Sequence, residues 1–340
     1  MATAGLIAFL VMKCRTSETK QLAEHIEFKP AQTLEEAKEF ARTNLKIKDF
    51  ELTNLDLANH INEALVNINK IFGGRKIFNK INLLPETHTG LMCAHKGVLK
   101  VNETRLLRQV APDNLVKYYN EVAVDKIGDL FSCIELSPAA QKILNKAQNG
   151  VKKLTFNEKV LLKNTLDSLN SVTVLPQNQI FEEALRNNNV IKWLKGNNYP
   201  TKIEDFIQLS ENSRNDLITS ILNNTNYKIK VYDRGEFGTV YHEIGHALHH
   251  EKIGTKKFNA GSAQITGDAT TDFNAMREFR KYFYKREPNS IKLSLLSAYA
   301  PYSEDEAVAE IFSFLCNGNK FNDEIMKLYK KFGGPELPNM

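Results

Sequence analysis

The sequence predicts an α+β protein: a small mixed sheet with a candidate active-site helix and a helical C-terminal subdomain, plus a mainly helical lobe. Three observations predict it. Short alternating apolar runs bounded by Gly and Pro fall between 76 and 102. Residues 106–215 are rich in Ala, Lys, Leu and Asn at helical spacing. Residues 216–340 return to long amphipathic helices around one concentrated group of histidines. The expected organisation is an N-terminal segment 1–32, helix and strands 33–105, a lobe or insertion 106–215, and a catalytic core 216–340.

In order along the chain, the apolar run Ala4–Met12 has no basic residue ahead of it before Lys13 and no small-residue cleavage site after it, so it reads as a core-packing strand or helix rather than a signal peptide. From Thr33 to Lys70 apolar positions recur at helical spacing, with Thr33 and Glu36 in a capping-box pattern and a stop at Gly73–Gly74. "KIFNKINLLP" and "GLMCAHKGVLKVN" read as strands, the second on both sides of Gly97. "LSPAAQKILNKAQ" and "TFNEKVLLKNTLDSL" are helical, and Pro138, Pro176 and Pro200 punctuate the lobe. "DLITSILNNT" is a short helix, "YKIKVYD" alternates like a strand, and "RGEFG" leads into the histidine-bearing helix. "TTDFNAMREFRKYFYKR" and "SEDEAVAEIFSFLCN" are helices.

Composition narrows the function. With 340 residues, 42% hydrophobic and 25% charged, the chain is ordinary globular material. The 45 basic against 40 acidic residues give +5 without a basic block, so no nucleic-acid partner is expected. No run reaches the ~20 apolar residues of a membrane span. Cys14, Cys93, Cys133 and Cys316 form no C-x-x-C pair, which suits reduced thiols in a cytosol-like compartment.

The chemistry concentrates in "GTVYHEIGHALHH". His242 and His246, four apart on a helix, present imidazoles to one ion with Glu243 beside them, and Val240, Ile244, Ala247 and Leu248 give the helix an apolar face to bury. The expected ion is Zn2+, with Glu243 as proton acceptor. A third ligand is required. The pattern with a third histidine six residues beyond His246 fails, because His249 and Lys252 stand where Gly and His are needed. His249 and His250 read as solvated or as supports behind the ligands. In "SAYAPYSEDEAVAEIFSFL", Glu306 and Glu310 lie four apart at the edge of an apolar face, so Glu306 is the expected ligand and Glu310 the acceptor for a ligand histidine's remaining N–H. Ser303 and Glu306 also form a capping box, a competing account of Glu306. Asp268 and Asp272, also four apart, are the rival acidic pair.

The combination His242-Glu243-x-x-His246 with "YAPYSEDEAVAE" resembles the gluzincin metalloproteases of the anthrax lethal factor type, including the Pro-Pro endopeptidases and related zincin domains of phage head-associated proteins and toxins. In that family a tyrosine lies seven residues before the glutamate ligand and an acidic residue four after it; 299, 306 and 310 reproduce both intervals. The resemblance covers about Gly238 to Phe314. It implies zinc ligands His242, His246 and Glu306, general base Glu243, Tyr299 donating to the oxyanion, and Glu310 behind a ligand histidine. It implies an endopeptidase acting on a protein or peptide, with an extended substrate pairing to an edge strand expected at Val98–Val101. The lobe 106–215 has no counterpart in this resemblance. It keeps open the alternative of a structural or interaction protein, a virion or effector component using such a domain as scaffold.

Overall fold

The computed structural model describes residues 26–260 and 269–338, so the apolar run Ala4–Met12 and Cys14 lie outside it. Helix α1 (Leu34–Asn44) starts where Thr33 Oγ1 accepts the Glu36 N–H. The helical stretch expected through Lys70 is in fact two helices. Lys46 takes φ 58°, strand β1 (Asp49–Phe50) follows, and Asn54 caps a new helix α2 (Leu55–Ile71) by accepting the Leu57 N–H. Gly73 and Gly74, at φ 62° and 82°, end it.

Strands β2 (Lys80–Leu83), β3 (Met92–His95) and β4 (Val98–Val101) complete a sheet of order β1-β2-β4-β3. β1, β2 and β4 run parallel, and β3 returns antiparallel through Lys96 and Gly97, both left-handed as a two-residue hairpin turn demands. The register pairs His95 with Val98 and Met92 with Val101.

The lobe follows. It comprises α3 (Glu103–Gln109), α4 (Pro112–Tyr119), a π-helical turn at Asn120–Lys126 and β5 (Ile134–Glu135). Then come α5 (Pro138–Gln148), α6 (Phe156–Val172), α7 (Gln177–Ala184), α8 (Asn188–Gly196), α9 (Ile203–Phe206), α10 (Glu211–Asn224) and β6 (Ile229–Lys230), which pairs parallel with β5. Pro138 sits in the first turn of α5 behind the Ser137 cap, and Thr155 with Glu158 closes a full capping box on α6. The lobe has its own core, built on Leu115, Leu166, Leu169, Phe206 and Phe181, the last two stacked 4.0 Å apart. Leu217, Ile221 and Val231 belong to that core, so the lobe reaches past the boundary expected at 215.

The chain then returns to the sheet with α11 (Gly238–Ile253), α12 (Thr255–Ala260), α13 (Ala269–Arg286), α14 (Glu304–Cys316) and α15 (Asp323–Lys331). Val240, Ile244, Ile311 and Phe312 share one core with Ile61, Ile81 and Leu99. The molecule is thus α+β, with α11 packed between the small sheet and α14. Among the described residues no helix is long and apolar enough to cross a membrane.

Candidate metal centre

Gly245 decides how the two site helices meet. A Cβ there would lie 2.9 Å from the Ala309 Cα and 3.2 Å from Phe312, so its absence lets α11 and α14 approach backbone to backbone. Ser313 Oγ donates to the Gly238 carbonyl at 2.8 Å and fixes the start of α11 on the same partner. This close crossing brings side chains 60 residues apart in sequence to one point.

His242, His246 and Glu306 converge, each offering one ligand atom within 4.8 Å of the others. The Nε2 atoms are 3.0 Å apart; Glu306 Oε2 is 3.3 Å from His242 Nε2 and Oε1 is 3.8 Å from His246 Nε2. A tetrahedral zinc with bonds near 2.0–2.1 Å separates its ligand atoms by about 3.3 Å. The two imidazoles and one carboxylate therefore fit such an ion in both spacing and donor type. His242 faces Glu306 with Nε2 and Glu310 with Nδ1, at 2.8 Å from Oε1, so one imidazole stands between two carboxylates.

Titration follows the same layout. Burial alone would lower His242, but hydrogen bonds to Glu306 and Glu310 outweigh it and hold the imidazole well above its usual range. Burial pushes His246 down to about 4, which keeps it neutral and able to bind a metal. Burial also pushes Glu243 up to about 7, with His242 pulling against it and Glu306 adding to it. The Ala94 backbone of strand β3 also pulls against the rise. Against its own burial, Glu310 is held down to about 2 by Arg234 and His242.

Tyr299 stands in the turn before α14, half exposed, its N–H on Ser297 Oγ and its ring 5.8 Å from Tyr302. Partial burial and the Glu306 charge raise its phenol, so it stays an O–H donor. Ser303 Oγ accepts the Glu306 N–H at 3.3 Å, an N-cap bond, while the Glu306 carboxylate turns to the histidines. Only half of the expected capping box forms, because the carboxylate that would complete it faces His242 and His246.

Some expectations fail. Strand β4, Val98–Val101, has β2 on one side and β3 on the other, so it is no edge; among the described residues the free edge beside α11 belongs to β3, Met92–His95. A strand inserted between two partners has no N–H or C=O left for a substrate. His249 is neither solvated nor a support for a ligand: it is 1% exposed and its Nε2–H donates to the Phe332 carbonyl at 2.8 Å, binding α11 to the C-terminal end. His250 meets Thr255 Oγ1 at 2.9 Å and stacks on His95. Asp268 and the side chain of Asp272 lie outside the described residues. Cys93, Cys133 and Cys316 are free.

Sequence reasoning missed Arg234, Asp305, Ala94 and Gly245. Asp305 Oδ2 is 3.9 Å from His246 Nδ1, and burial raises its carboxyl well above the usual range. Arg234 pairs with Glu310 Oε2. Only Gly245 carried a sequence signal, since a glycine inside a helix weakens it by ~1 kcal/mol relative to alanine unless close packing needs it.

No family model, no curated protein and no solved structure matches the chain.

Proposed function

We propose that the chain is a zinc-dependent endopeptidase of the zincin type, with His242, His246 and Glu306 holding the metal and Glu243 as general base. The observation that carries the reading is the meeting of these three ligand atoms beside the buried Glu243 carboxylate, the group placed to act as general base. Zinc in such a site supplies Lewis acidity and a water acidified to near pKa 7. Glu243 takes the proton of the attacking water and passes it to the departing amine nitrogen. Tyr299 O–H donates to the carbonyl oxygen as it turns negative. Glu310, on Nδ1, fixes the tautomer that leaves His242 Nε2 for the metal. An extended peptide adds to the free edge of β3, its main chain running past Ala94 and thus past Glu243. A protein or peptide is therefore the substrate class. The intact ligand set with Glu243 buried beside it favours this reading over a scaffold role, since a scaffold needs neither.

The test compares wild type with Glu243→Gln. Zinc should be present in both by metal analysis, and cleavage of a mixed peptide library should fall at least about 100-fold in the variant. Zinc absent from wild type after reloading, or full cleavage by the variant, would end the proposal.

A further inference from the structure

We infer that Arg234 is a positioning residue of the metal site, acting through Glu310 on His242; the inference rests on the zinc reading above. Arg234 lies outside the H-E-x-x-H helix, in the loop ahead of α11, yet its side chain is only 14% exposed. Its Nη2 donates to Glu310 Oε2, while Oε1 of the same carboxylate meets His242 Nδ1 at 2.8 Å. One carboxylate thus divides its oxygens between the guanidinium and the ligand imidazole. Glu310 is 1% exposed, so its charge has no water to face, and Arg234 is the cation that pairs with it. Without that guanidinium Oε2 loses the partner that fixes it, the carboxylate is free to turn, and the orientation in which His242 presents Nε2 to a metal is no longer set.

The loop is built to hold this one side chain. Asp233 Oδ1 accepts the Gly235 N–H at 2.7 Å, and Asn317 Nδ2 donates to the Arg234 carbonyl. From the lobe, Asn164 Nδ2 donates to the Gly235 carbonyl at 2.8 Å and Ser137 Oγ to Asp233 Oδ2 at 2.5 Å. Gly235 has φ 64°, and a Cβ there would meet Asn317 Oδ1 at 2.1 Å. At Gly238 a Cβ would lie 2.6 Å from the Arg234 Cβ, so the first residue of α11 is bare where the arginine stem passes. The Arg234 guanidinium sits 5.9 Å from the centre of the Phe314 ring, a second fixed surface against it. The lobe and α14 therefore grip the loop whose guanidinium orients the ligand's partner.

The experiment measures zinc affinity of the full chain by competition with a chromophoric chelator, together with the visible absorption of the cobalt(II)-substituted protein. Arg234→Met should weaken zinc about 10–100-fold and alter the cobalt spectrum, and Arg234→Lys should recover most of the affinity by keeping the charge. Glu310→Gln and the double variant Arg234→Met/Glu310→Gln should agree within about twofold, because the effect runs through the carboxylate. The double variant holds no orphaned buried charge, so it keeps the test alive if Arg234→Met alone does not fold. Wild-type zinc affinity and cobalt spectrum in Arg234→Met, or a further loss on adding it to Glu310→Gln, overturns the inference while leaving the metal site standing. A wild type that binds no zinc overturns both.

Discussion

At the scale of single residues, the site divides between groups that touch substrate and groups that aim them. In the proposed reading Tyr299 belongs to the first kind, half exposed and with its phenol raised. Tyr299→Phe is expected to lower kcat by about 10²–10³ while leaving zinc content unchanged, since it removes one donor aimed at developing charge. Loss of zinc in that variant would show that the ring supports the fold of the turn instead. His242, Glu243 and His246 were legible because helical spacing alone puts them together. Glu306 was legible by its interval to Tyr299 and Glu310, although its capping partner Ser303 gave an equally local account. Arg234 was not legible, because its partner Glu310 lies 76 residues away and no local pattern marks a buried ion pair across that distance.

Helices and strands carry the next set of consequences. Gly245→Ala places a Cβ 2.9 Å from a backbone atom of α14, which no side-chain rotation relieves. The helices must separate, at an expected loss of about 1–3 kcal/mol in denaturant unfolding of the metal-free protein, with weaker zinc binding as the histidines draw away from Glu306. Unchanged stability would mean that the crossing has slack. The sequence predicted strands on both sides of Gly97 and the α14 helix with its cap, features set within a few residues. It misjudged which strand is the edge, because sheet order depends on parallel pairing between β2 and β4, and alternation in one strand says nothing of its neighbours. It also ran α1 and α2 together, since the apolar period continues through the break that Lys46 and Asn54 impose.

At the scale of the whole molecule, the described residues form two cores, one interrupted in sequence by the other. His60 of α2 sits at their junction, 2% exposed, with Nδ1–H donating to Asn157 Oδ1 of α6 at 2.8 Å. Burial holds it at about 4, and His249 likewise, each below the ordinary 6.5. The unfolded chain takes up these protons near pH 6.5 and the folded chain only near 4, so stability is full above that window and falls as pH drops through it. Each histidine should account for up to about 3 kcal/mol of the loss. Urea unfolding at pH 7 and pH 5 checks this: His60→Gln should show a smaller drop than wild type, and equal drops would refute the assignment. The mainly helical character of the lobe was legible in its composition, but its continuation to Val231 was not, because Leu217, Ile221 and Val231 are as apolar as any residue of the other core.

That interruption imposes an order of manufacture. Residues from Ala37 to Leu106 share their core with residues from Phe237 to Phe332, whereas the lobe closes on itself using only residues between Val110 and Val231. At roughly 5–20 residues per second, a ribosome takes roughly 10 s to cross the intervening stretch. During that time the first-made strands wait with their apolar faces uncovered, and by its end the lobe has all of its own core and can fold before they are covered. A nascent chain stalled just before α11 should therefore carry a protease-resistant lobe behind a digestible N-terminal third.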